Sequence, residues 1–212
     1  MDRNCSGIVE KDTEKTSRKL EVSLFCFGKE MVNLHLDPVG KKKVFDHLIE
    51  IGKMSSTGHI GTHLDCYTCA PDKPEYELSA VVLECKDGMP DAKRLAKLGT
   101  LEGKALILHT GNHETNGYGS PECFKKETFI SKDALAKIVE LKPLFVIIDS
   151  HGLGQSGPTH VSIDKNCEAH HCHVIENADL SSLKDEKEIK VRINVDIDNP
   201  STGQPCTVVR LD

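Results

Sequence analysis

Apolar residues along this chain gather in short runs bounded by polar or glycine-containing stretches, the pattern of strands more than of helices. LEVSLFCFG (20–28) and MVNLHLD (31–37), separated around Gly28-Lys29-Glu30, predict two strands rich in Val, Leu and Phe. VFDHLIEIG (44–52) alternates enough for another strand, with a short helix as the other reading. ELSAVVLEC (77–85), KALILHTG (104–111) and LFVIIDS (144–150) are compact apolar runs that predict buried strands. CHVIENADL (172–180) and KVRINVDI (190–197) add two more. One helix stands out: Ser131 is placed to cap it, Leu135, Ile138, Val139 and Leu141 supply its apolar face, and Pro143 ends it. Strands outnumber helices, and at least one helix crosses between strands, so the predicted class is a mixed α/β fold with a strand-rich core. Residues 1–18 are polar and read as a mobile N-terminal arm. No linker or repeat divides 19–212, which reads as a single domain.

Composition narrows the function classes. The chain has 212 residues, 28% of them charged and 38% hydrophobic, enough for a packed core without disulfide staples. Tryptophan is absent and aromatics reach only 4%, against a stacking platform for single-stranded nucleic acid. A net charge of −6 argues against a phosphate-backbone partner. The N-terminal segment MDRNCSGIVEKDTEKTSRK has no apolar signal region, and no run is long enough to span a membrane. Nine cysteines cannot all pair within one chain. Together these features predict a cytoplasmic protein with free thiols, Cys26 and Cys85 serving as small buried hydrophobes.

The candidate chemistry is concentrated in Ser55-Ser56-Thr57-Gly58-His59-Ile60-Gly61-Thr62-His63-Leu64-Asp65-Cys66-Tyr67-Thr68-Cys69. In a straight strand His59 and His63 lie roughly 13 Å apart, too far for one ion. A regular helix brings the two histidines to one face but swings Asp65 away, and Gly61-Thr62 is poor helix material. A bend at Gly61, which has no Cβ to obstruct it, lets both imidazoles and the carboxylate converge. Two imidazoles and a carboxylate suit Zn²⁺, Mn²⁺ or Fe²⁺, with positions left open for water and substrate. A lone H-x-x-x-H is more often structural; Gly61 and Asp65 tip the balance towards metal. The rival reading joins Cys66-x-x-Cys69 to Cys167, Cys172 or the nearby His170, His171 and His173 as a closed zinc site, but the second half lacks a regular spacing. A redox role for Cys66 and Cys69 is weaker, because no helix is predicted to start there and activate a thiolate.

His59-x-Gly61-Thr62-His63-x-Asp65 resembles the signature H-x-G-T-H-x-D-x-P-x-H of the cyclase family of metal-dependent hydrolases, which includes bacterial kynurenine formamidase and isatin hydrolase. Leu108-His109-Thr110-Gly111, Ile147-Ile148-Asp149-Ser150 and Val174-Ile175-Glu176-Asn177-Ala178-Asp179-Leu180 resemble later strands of the same family, in the same order, over about residues 20–197. The resemblance implies a swivelling β/β/α, cyclase-like fold with a barrel-like core, and dimers or tetramers whose arms complete neighbouring sites. It implies His59, His63 and Asp65 as ligands of a first divalent ion, and Glu176 as a carboxylate that helps bind a second. Two positions depart from the family. The motif's proline is Tyr67, and its last histidine, which moves protons during hydrolysis, is Cys69. The histidine that formamidases carry twelve residues before the glutamate is here Asp164, itself a ligand type. His160, four residues earlier, and His170, His171 and His173 are the alternatives.

The expected activity is metal-assisted hydrolysis of an amide-like C–N bond, arylformamidase-like or lactam-hydrolase-like, with one or two Zn²⁺ or Mn²⁺ ions per chain. Asp65 or Glu176 is the expected proton acceptor, and Cys69 or one of the clustered histidines the donor to the leaving nitrogen. The expected partners are a small amide or lactam substrate and other copies of the chain, as a homodimer or homotetramer. The alternative is a relative that has lost catalysis and binds a metal or small molecule, favoured by the missing motif histidine.

Overall fold

The computed structural model of the chain describes residues 32–33 and 57–211. The expected arm at 1–18 and strands at 20–28 and 44–52 lie outside these residues. Of the run at 31–37, only Val32–Asn33 (β1) is described. Seven further strands follow: β2 (His63–Asp65), β3 (Glu75–Glu84), β4 (Ala105–His109), β5 (Phe145–Ile148), β6 (His173–Glu176), β7 (Glu188–Val195) and β8 (Gly203–Arg210). They form one sheet in the order β1-β8-β2-β6-β5-β4-β3-β7, and β8 also pairs with β7, so β2 to β8 close into a barrel. β3, β4, β5 and β6 run parallel to one another. β2, β7 and β8 are antiparallel to the strands they join. β8 closes the ring by splitting its pairing: Gly203–Pro205 bond to β2, and Cys206–Arg210 bond to β7.

The parallel strands are apolar on both faces because both faces are covered. Ala105, Ile107, Phe145, Ile147 and Ile175 point into the barrel, where they meet Leu64, Val191, Ile193 and Val208. The alternate residues Leu106, Leu108, Val146, Ile148 and Val174 point outward into a second core. That core is covered by helices, including α1 (Ala92–Ala96) through Leu95 and α4 (Lys132–Leu141) through Ala134, Ile138 and Leu141. Each Leu, Ile or Phe fully buried in this way contributes about 1.5–3 kcal/mol relative to exposure. The helix expected after Ser131 forms as predicted: the Ser131 hydroxyl accepts the Ala134 N–H at 3.2 Å, and the chain leaves through left-handed Lys142 before Pro143.

The same alternation positions the site. Leu64 on β2 and Ile175 on β6 face inward, so His63, Asp65 and Glu176 are placed on the outer face, towards the helical layer. Three helices besides α1 were not foreseen: α2 (Asn112–Asn116), α3 (Pro121–Lys125) and α5 (Pro158–Glu168). α1, α2 and α3 have five residues each, too few for a helical period to show. α5 is longer, but two of its three buried positions, Asp164 and Glu168, are carboxylates. Among the described residues no helix is long and apolar enough to cross a membrane.

Candidate metal centre

The chain enters the centre through the bend at Gly61, whose φ of 69° is in the left-handed region that a glycine adopts without strain. Its N–H donates to Tyr118 Oη at 2.7 Å, and Thr62 Oγ1 donates to the Asn177 carbonyl at 2.8 Å. His63 then stands between two strands, opposite Glu176 on β6 and Pro205 on β8. Its Nδ1 lies 2.9 Å from the Gly61 carbonyl, which can only accept, so Nδ1 carries a proton and Nε2 is the nitrogen turned to the centre. His59 is oriented by Thr202, whose Oγ1 lies 2.9 Å from His59 Nε2, leaving Nδ1 for the centre.

His59 Nδ1, His63 Nε2 and Asp65 Oδ1 form a triangle with sides of 3.2, 3.1 and 3.2 Å. Ligand atoms about 2.0–2.1 Å from a tetrahedral Zn²⁺ are about 3.3 Å apart, so the triangle has nearly the dimensions of one face of such a site. The bend expected at Gly61 is what brings these three residues together.

α5 closes the centre from the other side. His160 and Asp164 are one helical turn apart, and His160 Nε2 lies 2.8 Å from Asp65 Oδ2, 3.2 Å from Asp164 Oδ2 and 3.3 Å from Glu176 Oε1. Glu176 Oε2 is 3.7 Å from His63 Nε2. Among the described residues, two donor groups are compact enough to hold an ion: His59, His63 and Asp65, and Asp65, His160 and Asp164. Asp65 belongs to both. Of Asp164 and the candidate histidines, the structure brings Asp164 and His160 together at the centre.

The electrostatics fit a cation. Asp65 Oδ1, both Asp164 oxygens and Glu176 Oε1 are buried with no well-aligned hydrogen bond, although ring nitrogens lie 3.1–3.3 Å from three of them. Buried carboxylate oxygens left without donors are costly unless a positive charge compensates them. Burial would raise the Asp65 carboxyl, but the surrounding imidazoles of His160, His59 and His63 outweigh it and hold Asp65 well below the usual carboxylate range. Asp164 is pushed up to about 8 by burial and by the charge on Asp65. Burial, with Asp65 and Asp164, pushes Glu176 well up. A divalent ion relieves this crowding of three carboxylates, so the residues present fit the group.

Cys69 is not brought to this centre. It is exposed, its Sγ lies 3.7 Å from the Glu168 carbonyl, and it lines a separate small cavity with Asp72, His171 and His173. The loop is held there by the buried carboxylate of Glu168, the last residue of α5. That carboxylate accepts the N–H groups of Tyr67 at 2.6 Å, Thr68 at 2.6 Å and Cys69 at 3.2 Å, and the Thr68 hydroxyl. The thiol of Cys66 is pushed up to about 11 by burial and by Glu168. Cys167 and Cys172 are buried in the helical core, and His170 is exposed. No described cysteine belongs to either compact donor group, so a closed zinc site on Cys66 and Cys69 does not form.

The open side of the centre faces a cavity of about 500 Å³. His59, His63, His160 and Glu176 form its polar floor, and Tyr67, Phe124, Val161 and His151 stand among its walls. The Tyr67 phenol, 3.5 Å from Asp65 Oδ2, is pushed up by burial and by the carboxylates, so it stays protonated. His151 was not singled out in the sequence. The signal available was its place directly after the Ile147-Ile148-Asp149-Ser150 strand end.

The cyclase-like architecture expected from the sequence is shared with solved structures. One, described as a potential metal-dependent hydrolase with cyclase activity, matches with a TM-score of 0.60 at 13% identity over 85% of this chain and 96% of that one. A predicted metal-dependent hydrolase from Bacillus stearothermophilus matches at 0.53 and 16% identity, over 72% of this chain and 77% of that one. Isatin hydrolase A from Ralstonia solanacearum matches at 0.55 and 13% identity, over 72% of each chain. No family model matches the sequence, and no curated protein matches it. The chain therefore has the fold of these structures, and its own His59-His63-Asp65 triad is able to hold a metal.

Proposed function

We propose that this protein is a metal-dependent hydrolase that cleaves an amide-like C–N bond in a small substrate. The observation that carries the reading is the convergence of three imidazoles and three carboxylates, four of whose buried oxygens lack a well-aligned hydrogen bond, on the floor of an open cavity. His59, His63 and Asp65 would hold one divalent ion, and Asp65, His160 and Asp164, with Glu176 beside them, a second. Such an ion supplies Lewis-acid polarisation of a carbonyl and lowers the pKa of water towards about 7. The chain supplies the rest. Phe124, Val161 and the Tyr67 ring give the cavity apolar walls suited to the body of an aromatic amide or a lactam. Structures of similar fold include isatin hydrolase, which supports the lactam class.

The test has two parts. Purified protein is expected to retain divalent metal, measured by elemental analysis, and to lose it in His59→Ala/His63→Ala. With Zn²⁺ or Mn²⁺ added, it is expected to hydrolyse at least one member of a panel containing formanilides and isatin. Full metal retention in the double variant removes the basis of the proposal. The position of Cys69, outside the cavity where a proton-transferring residue is needed, favours a second reading: a binding protein without catalysis. Metal retention with no turnover across the panel selects it.

A further inference from the structure

Hydrolysis of a C–N bond needs a group that takes a proton from the attacking water and returns it to the leaving nitrogen, and Cys69 is not placed to do so. The cavity wall offers few others. His59, His63 and His160 belong to the two donor groups, Glu176 is tied to them through His160 at 3.3 Å and His63 at 3.7 Å, the Tyr67 phenol stays protonated, and Thr57, Ser156 and Asn177 do not exchange protons near neutral pH. His151 remains.

Its position is fixed by the strand ends. β5 and β6 are parallel neighbours, and past their ends the Asn177 N–H donates to the Ser150 carbonyl at 3.0 Å, setting Ser150-His151 beside Glu176-Asn177. The next residue, Gly152, has a φ of 98° and lies so near the floor that a Cβ there would overlap Glu176 Oε1 and the His160 ring. His151 is therefore one residue from the metal cluster, lines its cavity, and belongs to neither donor group.

Its hydrogen bonding also differs from that of a ligand. His63 is locked in one tautomer by a carbonyl. His151 Nδ1 instead lies 3.3 Å from Ser150 Oγ, a hydroxyl that can donate or accept. Ser150 accepts from Asn112 Nδ2 at 2.9 Å, and Thr128 Oγ1, 3.0 Å away, can donate instead to the Gly152 carbonyl at 3.1 Å, which leaves Ser150 able to donate to or accept from Nδ1. His151 Nε2 has no hydrogen-bond partner among the described residues. Either tautomer is satisfied at Nδ1 while Nε2 is free to gain or lose a proton, which is what a shuttle requires. Phe124, with its ring centroid 5.6 Å from that of His151, restrains the imidazole. Burial lowers its pKa, which favours the neutral imidazole.

We propose that His151 is the catalytic proton carrier of this site, standing in from the loop after β5 for the histidine absent at position 69. This role rests on the hydrolase reading. As the water oxygen bonds to the carbonyl carbon, His151 Nε2 accepts the water proton. As the C–N bond breaks, the same proton passes to the departing nitrogen. One water is consumed, an acid and an amine are formed, and no oxidant or reductant is involved.

The experiment compares metal-loaded wild type, His151→Ala and His151→Gln on the formanilide and isatin panel, with elemental analysis of each protein. Both variants are expected to keep their metal and lose about 10²–10⁴-fold in kcat. Added imidazole is expected to restore part of the rate in His151→Ala, where the ring is missing, and not in His151→Gln, where the space is filled. Should His151→Ala misfold, His151→Gln carries the comparison. Unchanged turnover in the variants overturns the role of His151 and leaves the hydrolase reading intact. Loss of metal together with rate overturns it too, since His151 would then be a ligand. A wild type inactive across the whole panel defeats the hydrolase reading and this role together.

Discussion

On the β2 side of the centre the donors are fixed by backbone. Gly61 turns the chain, and His63 and Asp65 sit in a strand paired on both edges, with His63 opposite Glu176 and Pro205 and Asp65 opposite Gly203. On the α5 side nothing comparable exists. His160 and Asp164 ride on a helix that opens at Gly157-Pro158 and shares no ladder with the barrel, and its docking relies on side chains. His160, Asp164 and Glu168 recur every four residues and so share one face, the first two meeting the centre and the third gripping the loop after Asp65. A strand holds its ligands through a ladder that any sequence can make; a helix laid on a barrel holds them only as firmly as its own contacts allow. The β2 group should therefore survive damage that disables the α5 group, while the residue the two groups share should not be replaceable.

Asp65→Asn tests the shared residue and is expected to have the largest effect. Asn keeps the shape but removes the charge that belongs to both donor groups and that faces His59, His63 and His160. Isothermal titration with Zn²⁺ or Mn²⁺ is expected to show binding lost at both positions. Persistence of one tight ion would mean the groups do not depend on Asp65 equally, and the comparison would need a different centre of gravity.

This contrast also explains what could be read from the sequence. The β2 wall was legible because its donors are local: His59, Gly61, His63 and Asp65 lie within seven residues, and one bend converges them. The strands β3 to β6 were legible as short apolar runs such as FVII bounded by polar residues, and β7 by its alternation of apolar and polar positions. α5 was not legible as a helix, since its buried positions are Asp164, Cys167 and Glu168, where a helical period in hydrophobicity would need Leu or Ile. The residues that make α5 functional are the ones that hide it. β8 was not predicted, because Gly203 and Pro205 in GQPCTVVR interrupt a strand pattern, although they pair with β2 where Pro205 has no N–H to contribute. Glu168 and His151 depend on long-range placement that no local pattern reports.

Glu168→Ala is expected to have an intermediate effect and to separate the two walls. It removes the acceptor for the N–H groups of Tyr67, Thr68 and Cys69, which lie near enough to the surface for water to replace part of the loss. A cost of about 1–3 kcal/mol is expected, visible as a lowered Tm. In a metal titration the α5 group is expected to weaken more than the triangle of His59, His63 and Asp65, and Glu168→Gln, which still offers one oxygen, to recover part of both losses. Equal weakening at both positions would show that the barrel, and not this clamp, sets the position of α5.

Cys69→Ala is the smallest expected effect, and it marks where the β2 wall ends. Cys69 occupies the position where the resemblance places a proton-transferring histidine, so the motif alone argues for a large loss. The structure argues the reverse. Glu168 draws the N–H groups of residues 67–69 towards the end of α5, and the Cys69 thiol donates weakly to the Glu168 carbonyl at 3.7 Å, on the rim of a different cavity. An exposed thiol with one long contact contributes little, so the change in stability is expected within about 0.5 kcal/mol, with metal content and turnover unchanged. Cys69→His is expected to be equally silent, because the clamp fixes the backbone that an imidazole would have to follow to reach the metal. The informative failure is a Cys69→Ala protein that keeps its metal but loses turnover. It would mean that the loop leaves Glu168 in the working enzyme, and that the β2 wall, held by backbone as far as Asp65, becomes as dependent on side chains as α5 only four residues later.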